Sequence, residues 1–437
     1  MTVYSLLRRD NISRFRSAVQ QDGWRTAARK AGHHLKRIAR GHGQSAVPDT
    51  TTQRTSASHL SPLWRDIAAN DAFHISRAPA VLTKARRIVM IGDMNLPQCR
   101  KYRVEQLGDL WAQKDIDYQY AHYQDLPRAC RLMQDATHLM LYRMQSDPLL
   151  TMYLYEARRL RLPILYDIDD PLFSISAYET YENMKALPDA MKAHFVNEAP
   201  RYLDALNSAD IVTVSTPGLR DHAQLYSARS IYTRRNFADQ ETLAAAETAL
   251  SAIGHQNAPF RVAFASGSRG HEVDFALVQK DVARFLSDDP TRRLMILGHF
   301  DDTLLPEGLK PQIERHDFTT YGDYLAALAR ADCAIMPLTD DTFNRCKSAV
   351  RVLDASSVAV PSIVAPVGDM ANVVRDGDTG MVLHADQGWY DALSSLAKDR
   401  TAASAMGASA RADLIENWSA APTPQIVEPE IIRWVSE

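Results

Sequence analysis

Short apolar runs separated by helix-length amphipathic segments recur in two series along this chain, and that alternation restricts its fold more than any other feature. The first series opens with Arg87-Ile-Val-Met-Ile91, ends that run on Gly92-Asp93, and continues with strands expected over 116–121, 138–142, 164–166 and 211–214. Helical spacing fills the intervals near 102–114, 125–133, 148–161 and 217–226. After an alanine-rich stretch the pattern restarts, with strands expected at 261–265, 294–297, 333–336, 362–365 and 381–383. Strands that alternate with helices connect by right-handed crossovers, so each series predicts a parallel sheet with helices on both faces. The 437 residues suffice for two such domains, each with its own core. The expected boundaries are 86–237 for the first domain, 238–258 for a linker, 259–411 for the second domain and 412–437 for a closing helix and tail.

Composition removes several classes. Four cysteines, Cys99, Cys130, Cys333 and Cys346, show no CxxC spacing, which argues against a zinc site or a disulfide framework and suits a reducing cytoplasm. No apolar run reaches the ~18 residues of a membrane span, and the start, MTVYSLLRRDN, lacks the apolar core of a signal peptide. A net charge of −3 gives no global field toward nucleic acid. Residues 1–41 differ, holding ten Arg or Lys against two Asp, a local balance of +8. With Trp24, Ala28, Leu35 and Ile38 as a weak apolar stripe, this arm reads as a basic amphipathic helix for an anionic membrane surface. Each well-placed cation there is worth ~1 kcal/mol. A solvated helix, or a tail docking on another protein, is the alternative. Residues 42–85 read as a polar linker with a short helix.

The stretch from Phe343 to Leu383 carries the densest signal. Ala349, Val350, Leu353 and Ser357 recur at helical spacing, which places Lys347, Arg351 and Asp354 on one face of a helix that starts near Lys347. Two cations one turn apart repel, so such a pair suits an anion between them. Pro361 stops the helix, Ser362 to Ala365 reads as a buried strand, and Gly368, Gly377 and Gly380 mark tight turns. This order of helix, Val-Pro, strand, small-residue loop and Asp-Gly-x-Thr-Gly turn resembles the donor-binding core of GT-B glycosyltransferases, and more narrowly the retaining group 1 branch often called family 4. That branch usually carries two glutamates separated by seven residues, where this chain has Cys346 and Asp354. A subgroup with an FNxxKSxxKxxE-type stretch is closer, and Phe343, Asn344, Lys347, Ser348, Arg351 and Asp354 follow it.

In open α/β sheets ligands bind beyond the carboxyl ends of strands, and three loops of the second domain meet that rule. The first is Ser266-Gly267-Ser268-Arg269, followed by His271 and Asp274, as in the subgroup's SGTxxHxxDF stretch. Its glycines and the following helix start suit a phosphate, with Arg269 as a charged fork, although a capped helix with Asp274 in its first turn is the plain alternative. The second loop contains Asn344 and Lys347, the residue chosen for a diphosphate. The resemblance gives Asp354 the ribose hydroxyls; a surface ion pair with Arg351 is the plain alternative. The third loop, with Gly368 and Asp369, falls where the resemblance places contacts to the donor's hydroxyls or base. In the first domain, Tyr166-Asp-Ile-Asp-Asp170 ends a buried strand, where carboxylates are costly unless paired or used. The resemblance places Asp169 and Asp170 near the transferred sugar. A metal held by this DxD run and structural capping are the alternatives. Arg103, in the loop after the first strand, is the cation expected to face the cleft toward an acceptor or diphosphate, with a helix-surface arginine as the alternative.

The resemblance therefore implies a GT-B fold of two Rossmann-like domains with a cleft between them. It implies an enzyme that moves a sugar from a nucleotide-sugar donor to a glycan or glycolipid acceptor, which the cysteines place in the cytoplasm and the basic arm at a membrane surface. It also implies retention at the anomeric carbon, no metal and no other cofactor. A non-catalytic binding protein and a nucleotide-sugar epimerase share the fold and are the rivals.

Overall fold

The computed structural model describes residues 85–252, 259–267, 270–384, 388–420 and 423–436. The basic arm and nearly all of the expected linker after it lie outside them, as do Ser268 and Arg269. The first domain holds β1 (Arg87–Gly92), β2 (Asp117–His122), β3 (His138–Tyr142), β4 (Ile164–Ile168), β5 (Ile211–Val214) and β6 (Ser230–Thr233). These pair in the order β2-β1-β3-β4-β5-β6, all parallel. The second holds β7 (Arg261–Ser266), β8 (Arg293–Gly298), β9 (Ile313–His316), β10 (Cys333–Met336), β11 (Ser362–Val364) and β12 (Gly380–Val382). Their order is β12-β11-β10-β7-β8-β9, again all parallel. The direction of winding reverses between β1 and β3 in one sheet and between β7 and β10 in the other, the points at which such sheets open a crevice. Among the described residues no helix is long and apolar enough to cross a membrane.

Every strand expected from the apolar runs is present, and two more lie at sheet edges. β6 and β9 have four residues each, and β9 reads Ile-Glu-Arg-His, too short and polar to stand out. Two expectations are corrected, and the closing tail finds its place. The supposed linker 238–258 contains a helix, Gln240–Ser251, capped by the Asp239 carboxylate on Thr242 N at 2.8 Å. Alanines make good helix as readily as they make spacer, and here they pack on a neighbouring helix, Tyr321–Leu328. The expected helix over 102–114 is broken into Pro97–Arg100, a π-helical turn Lys101–Glu105, and Leu107–Ala112. Finally, the chain after Trp418 returns to the first domain, where Ile426, Val427, Ile431 and Val435 share a core with Ile88, Met90 and Leu165.

The two domains dock through a short helix of the second, Thr342–Arg345. Its Phe343, with Cys346 just beyond, is buried in the first domain's own core cluster. Thr216 donates to the Cys346 carbonyl at 2.9 Å. Burial beside Asp170 and Asp341 pushes the Cys346 thiol up to about 12. A glutamate at 346 would meet both carboxylates in that setting, which gives a physical reason for the thiol.

Candidate active site

The ends of β7, β10 and β11 converge on Lys347. The helix expected to carry this lysine begins only at Val350, so Lys347 stands in the connection 346–349 between two helices, and the shared helical face with Arg351 is not formed. The connection is held from below. Asn344 is fully buried and donates to the Thr339 carbonyl at 2.9 Å and to Asp341 at 3.0 Å, which makes it a scaffold for the loop. Gly368, at φ +69°, lies against the same connection: a Cβ there would stand 2.8 Å from Asn344 O and 2.9 Å from Lys347 O. Asp369 N donates to Lys347 O at 3.0 Å.

The Lys347 ammonium donates to the Tyr181 hydroxyl of the first domain at 2.8 Å. It also stands over the Tyr181 and Phe343 rings, 5.1 and 5.9 Å from their centroids. Burial alone would lower its pKa; Tyr181, Asp274 and Asp170 more than offset that and raise it, so the lysine is charged. Arg351 reaches the Ala265 carbonyl at the end of β7, at 3.3 Å. His271 Nδ1 lies 3.1 Å from Asp274, yet burial and the Lys347 charge bring its pKa down to about 4, so it is neutral at pH 7. Asp274 is fully buried, accepting from Asn183 Nδ2 at 2.8 Å and from Thr339 N at 3.1 Å. Gly267 has open space where a Cβ would point, and the buried Ser266 lies beside it.

Asp354 does not pair with Arg351. Its carboxylate accepts from Tyr102 of the first domain at 2.9 Å and from Tyr321 at 2.8 Å. Burial pushes its pKa up to about 6 against these hydroxyls. Ser348 accepts from Asn236 at 3.2 Å, and Asp369 forms a two-pronged pair with Arg235 at 2.7 and 3.0 Å. Both contacts cross the domain boundary.

On the first domain's side, the DxDD run divides. Asp167 is fully buried between Arg103 Nε at 3.1 Å and Arg234 at 2.8 Å, with Thr213 donating at 2.6 Å, and the arginines hold its pKa below the ordinary value despite burial. Arg103 is 1% exposed and also donates to Arg234 O and to Asn236. The expectation that it faces the cleft is therefore corrected: a carboxylate inside its own domain holds it. Asp169 and Asp170 do stand at the end of β4, on either side of Arg143, at 3.4 and 3.8 Å. Tyr142 donates to Asp169 at 3.1 Å. Burial and the Asp169 charge raise the pKa of Asp170. Arg143 adopts φ +50°, an uncommon backbone state for an arginine and one that gathers near functional sites. Among the described residues no group of three or more His, Cys, Asp or Glu is arranged as a metal site. Tyr102, Tyr181, Asn183 and Arg143 were not singled out from sequence; each is defined by a partner far away in the chain.

Residues 261–399 match the family described as Glycosyl transferases group 1. No curated protein matches the chain. Among solved structures, the sucrose-phosphate synthase of Thermosynechococcus elongatus is similar at 13% identity, over 80% of this chain and 98% of that one, with a TM-score of 0.52. The Anabaena protein HepE, solved in complex with UDP and glucose, is similar at 13% identity over 80% and 100% of the two chains, with a TM-score of 0.54. At that identity the likeness is one of fold, the two-domain GT-B arrangement. That fold and the group 1 domain on its second sheet make this chain a glycosyltransferase.

Proposed function

We propose that the chain transfers a sugar from a nucleoside diphosphate donor, with UDP the first base to test, to a glycan or glycolipid acceptor. The observation that carries this is the Lys347 ammonium at the winding reversal of the second sheet. Charged and half-buried, it is bonded through its Nζ to one phenol, a partner that a diphosphate would replace. Asp354 lies further along, with the acceptor capacity to receive two ribose hydroxyls. Lys347 and Arg351 would stabilise the charge that builds on the leaving diphosphate, work that other transferases give to a metal. Asp167 is locked between two arginines, so the DxD run does not offer both its aspartates to an ion; this supports a metal-independent reaction. Asp169 and Asp170, across the cleft, are the groups proposed to hold the transferred sugar or the acceptor. Retention follows from front-face attack, the departing phosphate oxygen taking the acceptor's proton. Residues 1–41 would bring the enzyme to an anionic membrane surface.

The test is a thermal-shift panel of nucleoside diphosphates with and without EDTA. A ligand at 100 times its Kd adds ~2.7 kcal/mol of stability. We expect stabilisation by one base series, unchanged by EDTA and lost in Lys347→Ala. Silence across the panel overturns the donor reading, and a shift that EDTA removes overturns the metal-free one.

A further inference from the structure

Two of the residues that the proposed function assigns to the donor, Lys347 and Asp354, are bonded to the first domain in this structure. At one end, Tyr181, Glu182 and Asn183 each bond a group around the proposed diphosphate site. Tyr181 accepts from Lys347 at 2.8 Å, Glu182 N donates to Asp341 at 3.3 Å, and Asn183 donates to Asp274 at 2.8 Å. At the other end, the Tyr102 hydroxyl lies 2.9 Å from each oxygen of Asp354. Neither phenol is there by chance of a loose side chain. Tyr181 stacks on Phe343 at 4.1 Å between centroids with the rings 10° apart, and Tyr102 meets the edge of Tyr321 at 6.2 Å. Tyr102 also sits on the π-helical turn Lys101–Glu105, a rare conformation that gathers at functional sites. The neighbouring Lys101 anchors that turn to the second domain's side through Asp239 at 3.2 Å and Glu241 at 2.6 Å.

We propose that Tyr181 and Tyr102 are internal ligands of the donor site, each competing with the donor for a group it needs. A lysine keeps three donors, so one phenol does not saturate it. The Tyr181 hydroxyl, however, takes up one side of the ammonium, beside the Tyr181–Phe343 stack, and the carboxylate of Asp354 already receives the Tyr102 and Tyr321 hydroxyls. Donor binding then requires the first domain to release Lys347 and Asp354, which couples occupancy of the site to movement of the domains. This inference rests on the donor-site reading above.

Calorimetric titration of UDP into the full-length protein separates the two. Tyr181→Phe and Tyr102→Phe keep both rings and remove only the hydroxyls. We expect the double variant to bind UDP about tenfold tighter than the wild type, the equivalent of ~1.4 kcal/mol, with each single variant between them. Asn183→Ala, which touches neither phenol, is expected to shift affinity in the same direction. Unchanged or weaker binding in the double variant overturns the internal-ligand proposal and leaves the donor site standing, provided Lys347→Ala still loses at least tenfold. If Lys347→Ala binds UDP as the wild type does, or no variant binds it at all, the donor-site reading falls and this proposal with it.

Discussion

Two clusters of charge in this molecule look alike in sequence and differ in what completes them. Arg103, Asp167 and Arg234 are fully buried, and their partners all belong to the first domain. Lys347, His271, Asp274 and Arg351 sit at strand ends of the second domain, and the bonds to Lys347 and Asp274 include Tyr181 and Asn183 from the first. A cluster closed within one domain is fixed when that domain folds. A cluster closed across a boundary changes whenever the domains shift, and its groups can be passed to a ligand. The difference separates a structural arginine from a candidate binding lysine.

The comparison breaks most directly at Asp167. Asp167→Ala leaves two guanidinium groups buried without their carboxylate, and removing one partner of a buried pair costs ~3–5 kcal/mol. Urea unfolding should show a loss of that size, with little added by a subsequent Arg103→Met. A loss under about 1 kcal/mol would mean that water reaches the cluster and that Arg103 is not the fixed residue its burial indicates.

A smaller effect tests the cross-domain side through pH. The folded-state pKa of Asp354 is raised to about 6 by burial, above the ordinary 3.8. Between those values the folded chain holds a proton that the unfolded chain has lost, so this group makes the protein more stable as pH falls from about 6 toward 4 and less stable as it rises. At about 1.36 kcal/mol per pH unit the full effect is ~3 kcal/mol. His271, lowered to about 4, acts in the opposite sense over nearly the same range, because there the unfolded chain binds the extra proton. A titration of the wild type alone would mix the two. The stability difference between wild type and Asp354→Asn isolates Asp354: it should slope between pH 4 and 6 and flatten above pH 7. A flat difference throughout would show that Tyr102 and Tyr321 keep the carboxylate ionised.

The division between these clusters also marks how far the sequence could be read. Strand cores such as Cys333–Met336 and Ile211–Val214 were legible because two buried faces demand a continuous apolar run. The loops after those strands were legible as places where a site could form, since parallel sheets expose their carboxyl ends. Arg103 was misplaced because a lone cation in a loop carries no sign of its partner; Asp167 lies 64 positions away. Tyr102 and Tyr181 sit 252 and 166 positions from Asp354 and Lys347, and no local spacing records a contact made only when two domains dock. The same holds for the tail after Trp418, whose apolar residues show that it packs but not on which sheet.

Gly218 offers the finest test, because it lies where the domains touch and far from either charge cluster in sequence. It is the second residue of the helix Pro217–Ala223, and a Cβ there would collide with the backbone carbonyl oxygen of Arg345 in the second domain. Backbone cannot rotate away as a side chain can, so Gly218→Ala acts as a wedge between two domains that each keep their own core. Overpacking of this kind costs ~1–3 kcal/mol, and here the strain is relieved by separation rather than unfolding. We expect a larger radius of gyration in solution scattering, faster proteolysis near Phe343, and little change in the unfolding of either sheet. Because the wedge also draws Tyr181 away from Lys347, UDP affinity should rise if the phenol competes with the donor. Should the wedge open the molecule and weaken UDP binding instead, the first domain contributes to donor affinity, and contacts that cross the boundary are part of the site rather than rivals for it.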